Sequence, residues 1–418
     1  MVGRFSDDQV VDAFVYLIAR YLVIRQEHID LSEPGVGYNT IKYNELGKAE
    51  FVNPNLDVAY LEAWVAVDAA TPCVLTVPAI DGRYFTAQIC DEWAEIITNI
   101  NELSFPDRPF GDFALCLEGS DPDIPEGAVR IDLPSPKAKI LARVERQGDD
   151  ESAVSLQHQF TIRSMGRPSV ASAIEIAMFS NEAPITVAAF DKALVEEVLA
   201  SAPDSLPSSD AHQEVVLEIA ELAEHSDDVR AAIDNIIVTQ GWPAIIEFIR
   251  NYGDKRGGWI ATTGKPTGFG DDHWFRAAAN FAGIWWNTNT EVVYFIGEQD
   301  SDGDALNGSH QYMLHYRPDD LPVLHVNAYW SLTLMSLPDY RVVPNQLDRH
   351  NLSNLSDLTY EPDGSLKLYL GAALPVGAPQ SNWLPAPDGG PFTLNHRLYR
   401  PKPEVLNGNW YTPALTRI

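Results

Sequence analysis

The sequence predicts a mainly β protein with a helical insert: an N-terminal antiparallel β-sandwich, a central α-helical segment and a C-terminal jelly-roll-like β-sandwich. Three observations carry this. Between 57 and 163 short apolar runs alternate with turn signals and no helical periodicity intervenes. From 169 to 252 the apolar residues take the i, i+3, i+4 spacing of amphipathic helices. From 292 onward β-rich runs resume. The expected segments are 1–50 (helix and loop), 51–165 (first sandwich), 166–290 (helical middle) and 291–418 (second sandwich).

Ser6 and Gln9 have capping-box spacing ahead of an apolar stripe at Val10, Phe14, Leu17, Ile18 and Tyr21, so a helix opens the chain. The predicted strands of the first sandwich are 58–67, 73–79, 83–90, 113–117, 129–133, 140–144 and 157–162. Asp81-Gly82 reads as the hairpin turn joining 73–79 to 83–90, with Asn55, Asp57 and Tyr60 on one side of that pair and Asp91 and Trp93 on the other. Helical spacing follows at 169–181 and 186–200. Asp210 and Ser226 stand as caps of two more helices, and Pro243 suits the first turn of another. The stretch 253–272 reads as a Gly-rich connection, and later strands fall at 292–296, 311–316, 325–335, 366–370 and 392–399.

The 29 basic and 59 acidic residues give a formal net charge of −30, which repels phosphate backbones and anionic membranes, so neither nucleic acid nor membrane is an expected partner. Between 191 and 234 the acids interleave with apolar stripes and read as a solvated face. Cys73, Cys90 and Cys116 sit inside strand-like runs and lack C-x-x-C spacing, so buried free thiols are expected rather than a disulfide framework or zinc site. The opening residues have no basic n-region followed by a cleavage pattern, and a cytoplasmic protein is expected.

Several motifs fail on inspection. Gly258–Thr267 imitates a phosphate loop but has one residue too many between its glycines and Pro266 where a hydroxyl should hold magnesium. Neither a dinucleotide fingerprint, nor a G-x-S-x-G elbow, nor an H-E-x-x-H pair is present, so no cofactor is expected. The ten histidines are scattered without ligand spacing, and no metal site is predicted. Asp300, Asp302 and Asp304 resemble the front of a calcium loop, but Gln311 stands where the closing Glu belongs.

What survives is a set of polar and aromatic residues in β-rich contexts: Asn55, Asp57, Tyr60, Arg83, Asp91 and Trp93 in the first half, and Trp330, Arg349, Asn382, Trp383 and Arg397 in the second. Each alone reads as a cap, an ion pair or a core ring. Together they suit a small polar organic ligand, because rings stack on apolar faces while Asp, Asn and Arg fix hydroxyls or carboxylates. Asp57 and Asp91 are the candidates for acid/base work, with Arg83, Arg349 or Arg397 neutralising an anionic group.

At these residues the chain resembles a two-part bacterial family catalogued as domains of unknown function 1254 (N-terminal) and 1214 (C-terminal). The first half is carried by Asn55-Leu56-Asp57-Val58-Ala59-Tyr60, by the run from Thr71 to Pro78 and by that from Gly82 to Trp93. The second is carried by Asp302-Gly303, Leu306-Asn307-Gly308, Tyr329–Thr333, Asp363–Leu366, Asn382–Pro387, Arg397-Leu398-Tyr399 and Gly408–Pro413. Where the family has D-T-x-Y, Val58 follows Asp57. Where it has N-R-Y, Asp348-Arg349-His350 stands. The resemblance implies a β-sandwich, a helical middle and a jelly roll, and it implies no established activity. Many relatives carry signal peptides, which the opening of this sequence does not show. The sequence supports a ligand site between the two β modules. Its alternatives are a non-catalytic homo-oligomeric assembly and a metal-dependent jelly-roll enzyme.

Overall fold

A computed structural model of the chain describes residues 4–46, 55–263, 268–337 and 340–418. Its first element, α1 (Asp7–Leu31), has the expected capping box: the Ser6 hydroxyl accepts from Gln9 N, and the Gln9 side chain accepts from Ser6 N. Unlike a surface helix, α1 is buried almost all round, from Val10 through Ile24. One face enters the helical layer and the other lies on the first sandwich. No helix among the described residues is long and apolar enough to cross a membrane.

The first sandwich contains β1 (Lys42–Tyr43), β2 (Val58–Ala66), β3 (Cys73–Val77), β4 (Phe85–Cys90), β5 (Ile96–Ile100), β6 (Gly111–Leu117), β7 (Val129–Leu133), β8 (Lys137–Glu145) and β9 (Thr161–Ser164). A five-stranded sheet ordered β1-β2-β8-β4-β5 packs on a four-stranded sheet ordered β7-β6-β3-β9. Leu61, Val65, Leu75, Phe85, Phe113, Ile140 and Val144 fill the space between them. Cys73, Cys90 and Cys116 are buried free thiols on β3, β4 and β6. The Asp81-Gly82 turn is not a hairpin turn. It carries the chain from β3 in one sheet to β4 in the other. The predicted strand at 157–162 is displaced by α2 (Asp150–Gln157), capped by Asp149, and β9 starts only at Thr161.

The helical layer is α1 with α3 (Lys192–Ser201), α4 (Ser209–Ala223), α5 (Asp227–Ile236), α6 (Trp242–Asn251) and α7 (His273–Gly283). Ser226 caps α5 by accepting from Val229 N, and α5 passes through a π turn at Ile237–Gly241 into α6, with Pro243 in its first turn. Asp210 lies in the first turn of α4 rather than at its cap. The helix expected at 169–181 does not form. Those residues run without regular structure, and the Ile174 carbonyl meets the His28 ring instead.

The second sandwich contains β10 (Asp254–Arg256), β11 (Trp259–Ala261), β12 (Val292–Gly297), β13 (Tyr312–Tyr316), β14 (Trp330–Ser336), β15 (Asn351–Ser353), β16 (Leu366–Gly371), β17 (Trp383–Pro385), β18 (Phe392–Tyr399) and β19 (Thr416–Arg417). Its sheets run β10-β11-β12-β18-β14-β15 and β17-β16-β13-β19. β10 and β11 arise within the stretch expected to be a connection, so α7 is an excursion between strands of one sheet. The last four residues of the failed phosphate loop lie outside the described residues. In the loop before β13, the Arg417 guanidinium sits 2.8 Å from Asp300 and 3.0 Å from Asp304, taking the place a cation would hold.

Motifs that carry the family resemblance interlock here. Gly308 packs so tightly on the stretch after Asn382 that a Cβ built on it would lie 1.6 Å from the Pro387 carbonyl oxygen. The tail returns across the sandwich, where Trp410 Nε1 donates to Asp320 and Trp259 Nε1 donates to the Pro413 carbonyl.

Strand periodicity assigns each large sheet two unlike faces. On β8, Ala138, Ile140, Ala142 and Val144 point into the sandwich core. Lys137, Lys139, Arg143 and Glu145 point away from it and are nevertheless buried. α1 covers the Lys137 and Lys139 end of that face, and the second sandwich covers the Arg143 end. Glu27 and Asp30 share one face of α1, while Lys137 and Lys139 share one face of β8, so the two ion pairs form in register. Glu27 and Lys137 are 3.0 Å apart, Asp30 and Lys139 2.6 Å. Lys139 also reaches Glu62 at 2.7 Å, and Trp64 Nε1 donates to Asp30.

Candidate functional site

The six-stranded sheet mirrors this arrangement. Val293, Phe295, Trp330, Leu332, Leu352, Leu394 and Leu398 belong to its core. The alternate positions carry Tyr294, Ser331, Thr333, Asn351, Ser353, Asn395, Arg397 and Tyr399. Register sets Tyr294 and Ser331 on either side of Arg397, and Ser353 beyond Ser331. On the first sandwich, register sets Tyr60 and Thr86 on either side of Arg143. Two polar sheet faces thus meet and are buried against each other.

At this seam the Arg143 guanidinium lies 5.6 Å from the Tyr60 ring centroid and donates to Gln88 Oε1 at 2.8 Å. Among the described residues no carboxylate lies within ion-pair distance of it. Burial works against its charge. The phenol groups of Tyr60, Tyr294, Tyr84 and Tyr399 ring it, and it stays charged. Tyr329 and Tyr399 stack at 4.2 Å with Tyr84 set edge-on to Tyr329, and Asn55 Nδ2 donates to both stacked phenols. Desolvation raises the pKa of Tyr84, Tyr294, Tyr329 and Tyr399, and of Tyr84, Tyr329 and Tyr399 most of all, so these four are neutral hydroxyl groups.

Asp57 enters the same seam from the turn before β2, which Asn55 shapes by accepting from Asp57 N at 2.9 Å. Its Oδ1 accepts from Asn351 Nδ2 at 2.7 Å, while Oδ2 has no well-formed hydrogen bond among the described residues. Burial raises its pKa, opposed by the Ser331 hydroxyl, the Arg397 charge and the Asn351 amide. Arg397 itself donates to Thr333 Oγ1 at 2.9 Å. A buried carboxyl with a spare oxygen, two guanidinium groups and a ring of phenols can hold and polarise a polar, especially anionic, group.

Of the predicted residues, Asn55, Asp57, Tyr60 and Arg397 therefore converge. The others do not. Asp91 cannot pair with Asp57, because β2 and β4 both run antiparallel to β8. The Asp57 carbonyl accepts from Arg146 N beyond one end of β8, whereas Cys90, next to Asp91, is opposite Lys139 near the other. Roughly 20 Å of strand separates them. Asp91 instead folds an Asx turn onto Trp93 N and Glu95 N, and Trp93 packs against Tyr16 and under Arg276. Arg83 donates to the carbonyls of Glu145 and Arg146. Trp330 lies in the second core edge-on to His396, a buried ring whose pKa burial pulls down to about 3. Arg349 donates to the carbonyls of Gln380 and Trp383, Asn382 bridges Thr359 and Lys367, and Trp383 Nε1 donates to the Gly371 carbonyl. These are loop fasteners.

Arg143, Tyr84, Tyr294, Asn351 and Ser331 are the members that sequence reasoning missed. A signal for the first was present: Lys137, Lys139, Arg143 and Glu145 occupy alternate positions of one strand. That pattern reads equally well as a solvated face, and only the second sandwich makes it a buried one.

Residues 38–164 match the family described as Protein of unknown function (DUF1254), and residues 291–403 match that described as Protein of unknown function (DUF1214). No curated protein matches the chain. Among solved structures, the crystal structure of the VPA0106 protein from Vibrio parahaemolyticus is similar over 99% of both chains, with a TM-score of 0.69 at 18% identity, so it shares the fold. An uncharacterized protein from Burkholderia cenocepacia aligns over 96% of this chain and 87% of its own, at 10% identity and a TM-score of 0.48. The chain thus carries a DUF1254 match followed by a DUF1214 match, in this order on either side of a helical middle, both families of unknown function.

Proposed function

We propose that this protein binds a small polar organic ligand bearing a carboxylate or a comparable anionic group at the seam between its two β-sandwiches. Arg143 carries the reading: a guanidinium buried among tyrosines with no carboxylate within ion-pair distance among the described residues. Glu291, bonded to Tyr84 and Asn101, acts on Arg143 only at longer range, so the guanidinium has no direct ionic partner, and an anion arriving with its own hydrogen-bond acceptors supplies one. Tyr60 and Tyr294 beside it are half-buried, and the Arg397 charge lies at the same seam. Asp57, whose Oδ2 has only the Ser331 hydroxyl near it and no well-formed hydrogen bond among the described residues, accepts a ligand hydroxyl, which favours hydroxy acids and sugar acids over simple anions. In a protein of net charge −30 such a local positive site also has to draw its ligand by short-range contacts rather than by long-range steering.

The test is a thermal-shift screen of the full chain with hydroxy acids, dicarboxylates, sugar acids, inorganic phosphate and neutral sugars, repeated on Arg143→Met. Acidic organic ligands raise the melting temperature of the wild type, and the variant loses that response. A screen in which no acid shifts the wild type, or in which Arg143→Met responds equally, would overturn the assignment. A response to neutral sugars alone would keep the seam as a carbohydrate site and discard the anion.

A further inference from the structure

We propose that Asp12, His212 and His273 form a binding site for a first-row divalent transition-metal ion of the zinc type. The site lies in the helical layer, remote in sequence from the seam residues, and does not depend on the reading above.

Three helices supply the donors. Asp12 lies in the second turn of α1, His212 in the first turn of α4, and His273 opens α7. Each contributes one ligand atom, and the three atoms lie within 4.8 Å of one another. His273 Nε2 is 2.9 Å from Asp12 Oδ1, and His212 Nδ1 is 3.6 Å from Asp12 Oδ2. Ligands around a tetrahedral zinc at its usual bond lengths sit roughly 3.3 Å apart, so small side-chain rotations complete the shell. Two imidazoles and a carboxylate are the donor set that zinc and its neighbours accept, and three protein ligands leave a coordination position open.

The surroundings hold these side chains as outer groups do around known metal ligands. Trp274 Nε1 donates to Asp12 Oδ1 at 2.8 Å, fixing the carboxylate and leaving Oδ2 turned toward His212. The Tyr16 ring stacks on His212 at 5.0 Å and 18°. Tyr16 is itself tied through its hydroxyl to Asp204, which a bidentate Arg276 neutralises. Asp12 and Trp274 also line a surface cleft of about 520 Å³ with Asp8, Gln9 and Gln240, so the Asp12 side of the site borders solvent. A plain Asp–His hydrogen bond explains His273. It does not explain a second imidazole held 4.1 Å from the first, centroid to centroid, and facing the same carboxylate.

The experiment titrates the chelator-stripped full chain with Zn²⁺ by calorimetry and follows Co²⁺ substitution by absorption. One ion per chain is expected, with the Co²⁺ spectrum of a low-coordinate N/O site and a raised melting temperature. His212→Ala, at a half-buried position, and Asp12→Asn each weaken binding roughly 100-fold or more. The control His310→Ala/His315→Ala, on exposed side chains, keeps the stoichiometry of one. Absence of wild-type binding, or equal binding by His212→Ala, would overturn the site. If Asp12→Asn fails to fold, His212→Ala alone decides.

Discussion

Tyr60 and Arg143 stand directly opposite one another on β2 and β8, the guanidinium 5.6 Å from the phenol ring. The pair lies on the face of the sheet that a single sandwich would leave to solvent, and the second sandwich buries it. A desolvated cation–π contact of this kind contributes about 2 kcal/mol, less than burying a lone guanidinium costs. The balance favours a site built to receive something over one built for stability.

Arg143→Met should therefore change the stability of the ligand-free protein by no more than about 2 kcal/mol, since Met fills the volume and only the Gln88 hydrogen bond and the ring contact are lost. Urea unfolding measures it. A loss well beyond that range would make Arg143 a structural group.

Lys139 behaves oppositely. Its ammonium is buried between Asp30 of α1 and Glu62 of β2, and Lys139→Met leaves Asp30 without its cation and Glu62 with only Lys42 at 3.6 Å. A loss of about 3–5 kcal/mol is expected. Lys42→Ala removes a more exposed pair with Glu33 and should cost about 1 kcal/mol or less. Equal losses in chemical denaturation would contradict the assignment of α1 to the sheet through Lys139.

Asp91 gives a pH signature. Burial lifts its pKa from 3.8 to about 7, against the backbone donors of Trp93 and Glu95 and with Glu95 adding repulsion. Between these values the folded chain holds a proton that the unfolded chain releases, so stability contributed by neutral Asp91 is present in acid and declines as pH rises from about 4 to about 7. Asp91→Asn keeps the acceptor oxygen of the turn and removes the titration. It should match the wild type near pH 4 and exceed it above pH 7 by on the order of 2–4 kcal/mol. Parallel stability curves for the two proteins would refute the shift.

Gly308→Ala drives a methyl group into the Pro387 carbonyl oxygen and should abolish cooperative folding or lower the melting temperature severely. Gly283→Ala, at the end of α7 with open space around its Cα, should be neutral or stabilising by up to about 1 kcal/mol. Melting curves of the two variants test whether the Leu306-Asn307-Gly308 motif is held by packing.

The β–α–β layout was legible because strand and helix periods are local properties, and Ser6, Ser226 and Pro243 marked helix starts through short-range capping. The sheets that β3 and β4 would join were not legible. A Asp-Gly turn reports a reversal of the chain, not whether the next strand pairs with the last. The same limit separated the two candidate carboxylates. Asp57 and Asp91 bracket the same segment in sequence, but the placement of β8 between β2 and β4 sends them to opposite ends of the sheet. Arg143 was hidden because alternation distinguishes the two sides of a strand without saying what covers the polar one. His212 and His273 are 61 positions apart, and only helix packing joins them.

The place of α1 has a consequence for synthesis. Glu27 must wait 110 residues for Lys137, and the helices that enclose the rest of α1 emerge later still. During that interval a 25-residue helix, apolar on most sides and carrying charges meant for partners not yet made, has no surface to rest on. Ribosome-associated chaperones that shield greasy nascent segments are thus expected to engage α1 as it emerges, and release should coincide with the appearance of α7.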